Sequence, residues 1–166
     1  MAKIQRFEDL PVWNNARELC RDIFALMQKP SMKIDFELKS QIKRSSASIM
    51  DNIAEGFERN NNKEFKHFLY ISKSSCGEVR SQLYRAFDRE YLTKEEFEVL
   101  VQNTLSISGQ IAGLINYINR STISGTKHKT ANNDISAEPD TAYNRPNDEV
   151  QKEYFLEIAL NDLSKD

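Results

Sequence analysis

The stretch from Gln41 to Phe57, QIKRSSASIMDNIAEGF, constrains the fold most, because two seams of residue types run along it at helical spacing. Ile42, Ser46, Ile49 and Ile53 recur at four, three and four residues, the pattern of a helix face set into a core. One position back, Gln41, Ser45, Ser48, Asn52 and Glu55 form a polar seam about 100° around the same helix. A solvated face would carry Lys and Glu instead. Short hydroxyl and amide side chains point to a close-packed, hydrogen-bonded contact, or to a site. Either way, this helix needs a partner surface of matching polarity.

The flanking sequence supplies partners. Asp9 reads as a helix cap with Pro11 in the first turn. Val12, Ala16, Leu19, Ile23 and Leu26 form an apolar seam flanked by Trp13, Cys20, Phe24 and Met27, so helix 1 runs to about Gln28 and Pro30 ends it. Asp35 caps helix 2, and Gly56 is placed to terminate it through positive φ. Helix 3 spans about Lys63 to Glu90 on the core seam Phe65, Leu69, Ser72, Cys76, Val79, Leu83 and Ala86. Beside it lies a second polar seam with Ser75, Glu78 and Gln82. Thr93 and Glu96 make a capping box that opens helix 4, whose seam from Phe97 to Ile118 keeps a three-four alternation. Gly109 and Gly113, four apart, are expected to let a neighbouring backbone approach. The expected fold is all-α, an antiparallel up-down-up-down four-helix bundle over residues 1–120. From Ser121 the chain turns polar and aperiodic. Residues 121–147 read as a disordered linker, and 148–166 as a tail with a short amphipathic helix.

Composition excludes more than it assigns. With 39% hydrophobic and 29% charged residues, the 166-residue chain has the make-up of a soluble globular domain. No apolar run approaches a membrane span, the N-terminal MAKIQRFEDLPVW lacks a signal-peptide core, and the cytoplasm is the expected location. Cys20 and Cys76 form no CxxC and sit at apolar-seam positions, while His67 and His128 are too few and too separated to hold a metal. Ser74, Ser75 and Cys76 lie in mid-helix without a nucleophile elbow. The scattered glycines make no phosphate loop. No catalytic residue, cofactor or small-molecule substrate is expected, and the chain reads as a non-enzyme.

Two sets of residues remain as candidates. Across an antiparallel hairpin of helices 2 and 3, Gln41 and Arg44 are expected near Ser75 and Glu78, with Ser45 near Ser74. This predicts a structural polar layer of Gln41, Arg44, Ser45, Asn52, Glu55, Ser75 and Glu78, with Glu78 hydrogen-bonded by Gln41 and ion-paired with Arg44. The second set is basic: Arg17 with Arg21, Lys39 with Lys43, and Lys66, Lys73 and Arg80 at seven-residue intervals. Such stripes could meet the phosphates of RNA or DNA without sequence preference, or be ordinary solvated faces. Residues 1–120 carry 18 Lys and Arg against 16 Asp and Glu, and the remainder 5 against 9, so the body is mildly basic and the tail acidic.

The segments FEDLPVWNNARELC and QIKRSSASIMDNIAEGFERNNNKEFKHFLYISKSSCGEVRSQL resemble the bacterial four-helix bundle family encoded in intervening sequences of 23S ribosomal RNA genes. That family includes accessory variability proteins of diversity-generating retroelements. The resemblance covers residues 7 to about 119 and centres on Ser48, Ile49, Asn52, Ile53, Ala54, Glu55, Gly56 and Phe57, followed by Ser75 and Glu78. It implies a homopentamer without established enzymatic activity and, for the retroelement members, binding to a reverse transcriptase and to nucleic acid. A protein-binding scaffold that leaves nucleic acid to such a partner is the alternative reading. Where the family often has a doubly basic QxRRA element, this chain has Lys43 and Arg44 followed by Ser45 and Ser46.

Overall fold

A computed structural model describes residues 5–127, with side chains as far as residue 120. Short 3-10 turns at Phe7–Asp9 and Pro30–Met32 accompany four helices: α1 Pro11–Met27, α2 Phe36–Glu58, α3 Asn62–Asp88 and α4 Lys94–Lys127. Each helix packs on the next and α4 returns against α1, which makes the antiparallel all-α bundle the sequence predicts. α4 continues to Lys127, past the expected bundle limit at 120. The rest of the predicted linker and the predicted tail helix lie outside the described residues. No described helix is long and apolar enough to cross a membrane.

The predicted apolar seams converge on one core. Ala16, Leu19 and Ile23 of α1, Ile42, Ile49 and Ile53 of α2, Leu69, Cys76, Val79 and Leu83 of α3, and Ile107 and Ile111 of α4 are all buried. Thr104, buried among them, donates its hydroxyl to the Leu100 carbonyl one turn back at 2.7 Å, so its polar atom is not stranded.

Two carboxylates fasten the helix ends at the α2 N-terminus and α4 N-terminus. Asp35 caps α2 by accepting the Leu38 amide at 3.0 Å, and its other oxygen takes hydrogen bonds from Arg89 and Tyr91 beyond α3. The capping amide foremost, with Arg89 and Tyr91 adding, holds the Asp35 carboxyl below its ordinary value. Glu96 closes the expected capping box with Thr93 and also pairs with Lys29 at 2.5 Å, which ties the loop after α1 to α4. Lys29 is the main reason its carboxyl also sits low.

Three local expectations need correction. Asp9 does not cap α1; its carboxylate accepts the Gln5 and Arg6 amides at 3.2 Å, and Leu10 and Pro11 open the helix without a side-chain cap. Gly56 does not end α2 either, because the positive φ belongs to Asn60, at 50°. Gly56 is helical, and a Cβ there would stand 2.7 Å from the Phe68 Cβ and 2.9 Å from the Phe65 ring. Glycine is needed for the close approach of α2 and α3 rather than for a turn. Conversely, Gly109 and Gly113 are exposed, and a Cβ at Gly109 would meet nothing within 4 Å, so no neighbour among the described residues closes on Gly109.

Candidate nucleic-acid interface

The polar seams of α2 and α3 face each other, as their matching composition requires. Ser72 donates to the Ile49 carbonyl at 2.8 Å, Ser48 and Ser75 share a hydrogen bond at 2.9 Å, and Asn52 donates to the Ser48 carbonyl and hydroxyl. Farther from the turn, Ser45 donates to Gln82 at 2.5 Å and Arg85 to the Gln41 side-chain oxygen at 2.5 Å. Of the expected polar layer, Gln41, Ser45, Asn52 and Ser75 therefore belong to a hydrogen-bonded zipper.

Arg44, Glu55 and Glu78 do not. Gln41 and Arg44 share an open groove of about 530 Å³ with Glu78, but neither bonds to it, and Arg44 and Glu78 are both solvent-exposed. Gln41 instead donates to Glu37 at 3.1 Å while accepting from Arg85. Near the turn the pairing is close to the expected one, with Ser72 on Ile49 and Ser48 on Ser75, but farther along Ser45 bonds to Gln82 rather than Ser74 and Gln41 to Arg85 rather than Glu78. Ser74 is exposed and bonds back to the Ile71 carbonyl. Glu55 is half-exposed and pairs with Arg59 one turn on at 2.7 Å, an ordinary surface pair worth little.

The two cysteines offer no nucleophile. Cys20 donates to the Ser46 carbonyl at 3.1 Å, and burial pushes its thiol up to about 11. Burial raises the Cys76 thiol to about 12. Neither is a thiolate near neutral pH.

The seven basic candidates fall into two groups on different edges. Arg17 and Arg21 on α1 and Lys39 and Lys43 on α2 flank the α1–α2 contact that Cys20 and Ser46 mark. Arg21 pairs with Glu18 at 2.9 Å, whereas Arg17, Lys39 and Lys43 have no ion pair among the described residues. Lys66, Lys73 and Arg80 lie on the α4-facing flank of α3. There Lys66 donates to Asn119 at 3.0 Å, Lys73 is exposed, and Arg80 is half-buried with its Nε lacking an acceptor among the described residues.

The α1–α2 edge holds residues that sequence reading missed. Phe24, expected beside the core, is 59% exposed, and Phe36 and Ile34 are 78% and 79% exposed. The signal was present in the spacing: Arg17, Arg21, Phe24 and Phe36, Lys39, Lys43 each run at three or four residues, so aromatic and basic side chains share one flank. A basic edge carrying exposed rings can contact a backbone phosphate and stack a base at once.

The model of the 23S rRNA-intervening sequence protein family matches residues 8–113. The chain belongs to that family. The family's fold is shared by a Bacteroides thetaiotaomicron protein of the S23 ribosomal protein family, whose crystal structure superposes with a TM-score of 0.58 at 23% identity, covering 63% of this chain and 97% of that one. No curated protein matches the chain. In this member of the 23S rRNA-intervening sequence proteins, the stretch that carried the resemblance is the α2–α3 zipper: Ser48, Asn52 and Ser75 are hydrogen-bonded, and Gly56 packs against Phe65 and Phe68 with no room for a Cβ.

Proposed function

We propose that the protein is a non-enzymatic oligomer, a homopentamer, that holds single-stranded RNA or DNA without sequence preference along the α1–α2 edge. The observation that supports this is the interleaving of exposed Phe24 and Phe36 with Arg17, Arg21, Lys39 and Lys43. Guanidinium and ammonium groups would neutralise phosphates and the rings would stack bases, which gives affinity that falls with salt and ignores sequence. Repetition of the edge around a ring would multiply a weak contact into a strong one. Lys66, Lys73 and Arg80 are poorer candidates, because Lys66 already has Asn119 and the Arg80 Nε is buried.

Ile34 favours a second reading. An aliphatic side chain this exposed offers nothing for a base to stack on, and with Phe24 and Phe36 it suits an apolar protein surface. In that reading the protein is a scaffold for a partner such as a reverse transcriptase.

Titration of labelled single-stranded RNA and DNA at two salt concentrations tests the first reading, with mass determination in solution alongside. Binding that weakens steeply with salt supports it. An oligomer that binds neither strand at low salt overturns it, and a monomer at micromolar concentration overturns the pentamer.

A further inference from the structure

The α3–α4 flank carries a second regular pattern. Lys66, Tyr70, Lys73, Gly77, Arg80 and Tyr84 recur at alternating four and three residues along α3, so they lie on one flank. Two contacts fix that flank beside α4: Lys66 reaches Asn119, and the Tyr84 ring packs edge-on against Phe97 with centroids 4.9 Å apart. Tyr70 and Tyr84 are each more than half exposed, and on the facing side of α4 Leu105 is 39% exposed. A Cβ at Gly77 would meet nothing within 4 Å, so the middle of the strip is open. The result is a shallow, positively charged surface with exposed rings at either end.

We propose that this flank is the docking surface for the chain's own segment 148–163. The charges are complementary: the segment holds Asp148, Glu149, Glu153, Glu157 and Asp162 against a single Lys152, and opposes exposed Lys73 with the half-buried Lys66 and Arg80 on either side of it. It also carries Val150, Tyr154, Phe155, Leu156 and Ile158, the apolar content that an aromatic strip can cover. Chain length selects this flank over the other exposed apolar surface. Lys66 meets Asn119, which lies about 12 Å along α4 from Lys127 at a 1.5 Å rise per residue. Twenty residues, the length of the 128–147 connection, would span about 25 Å root-mean-square as a random coil. The Phe24, Ile34 and Phe36 surface lies at the opposite end, where Lys29 meets Glu96, about 46 Å back along α4. Reaching it would hold the connecting chain far beyond its relaxed span, at an entropic cost the nearer flank avoids. Docking stands independently of nucleic-acid binding, since it uses a different edge.

Tyr70 is exposed and makes no hydrogen bond among the described residues, which suits it to replacement by the photo-cross-linking residue p-benzoylphenylalanine in the full-length chain. Irradiation of a mixture of unlabelled and nitrogen-15-labelled protein, followed by peptide mapping, identifies what lies on the flank and from which chain. The expected product joins position 70 to a peptide within 148–163 of the same chain, with capture reduced several-fold by Glu149→Gln, Glu153→Gln and Glu157→Gln together or by high salt. Capture of bundle peptides alone, no capture, capture of a second chain, or yields indifferent to the three substitutions would overturn the proposal.

Discussion

Polar side chains occupy two regions of this bundle to opposite effect. Between α2 and α3 they are short and satisfied: Ser45 has Gln82, Ser48 has Ser75, Ser72 has the Ile49 carbonyl, and Gln41 has Arg85. On the α1–α2 edge they are long and cationic, and Arg17, Lys39 and Lys43 have no ion pair among the described residues. Satisfied short groups fix the register of one helix on another. Unpaired cations beside exposed rings contribute nothing to that register and remain available to a polyanion. The conspicuous polar stretch thus serves the fold, and the proposed binding edge lies about half a turn away, on the opposite flank of the same helix.

Gly56→Ala strikes the first region hardest. The added methyl would collide with Phe68 and Phe65, so a loss of about 1–3 kcal/mol of stability is expected in denaturant melts, with strand binding by the folded protein unchanged. Ser72→Ala is next. It deletes a fully buried donor to the Ile49 carbonyl and should cost about 1 kcal/mol by the same measurement.

Acid probes the fastenings at the helix ends. Asp35 and Glu96 both titrate below their ordinary values of 3.8 and 4.5 in the folded protein, so the stability they add is present above those values. It is lost as pH falls through the lowered folded-state values. Melting temperature should therefore drop below about pH 4.5, and Asp35→Asn, which keeps the shape but not the charge, should flatten that drop.

Glu78→Ala should do least. The side chain is exposed and makes no ion pair among the described residues, so stability should stay within about 0.5 kcal/mol of the parent. A larger loss in the melting curve would restore the lock that the sequence suggested.

The helices and the core were legible because apolar residues repeat at three and four throughout, and Asp35 and Thr93 with Glu96 announce their caps. The pairing of two polar seams was legible too, since short polar side chains at core-adjacent positions need partners. Individual partners were not. A pairing that drifts by a few residues away from the turn, with long Gln and Arg side chains reaching across, exchanges Ser74 and Glu78 for Gln82 and Arg85 without altering the pattern of either helix. Gly56 misled for a similar reason: a glycine before a turn has two uses, and only the proximity of Phe65 and Phe68 separates them. Phe24 looked like core because a seam defines a stripe's centre better than its border, and exposure is decided at the border by where α2 ends its cover.

Parallel anisotropy titrations of a labelled single-stranded oligonucleotide with two double variants test the central claim most directly. Phe24→Ala with Phe36→Ala should lose about tenfold or more in affinity, each lost stack being worth about 1–3 kcal/mol, whereas Ser48→Ala with Ser75→Ala should bind like the parent while melting earlier. Equal losses in both variants, or parental binding by the phenylalanine pair, would contradict the assignment of binding to the α1–α2 edge.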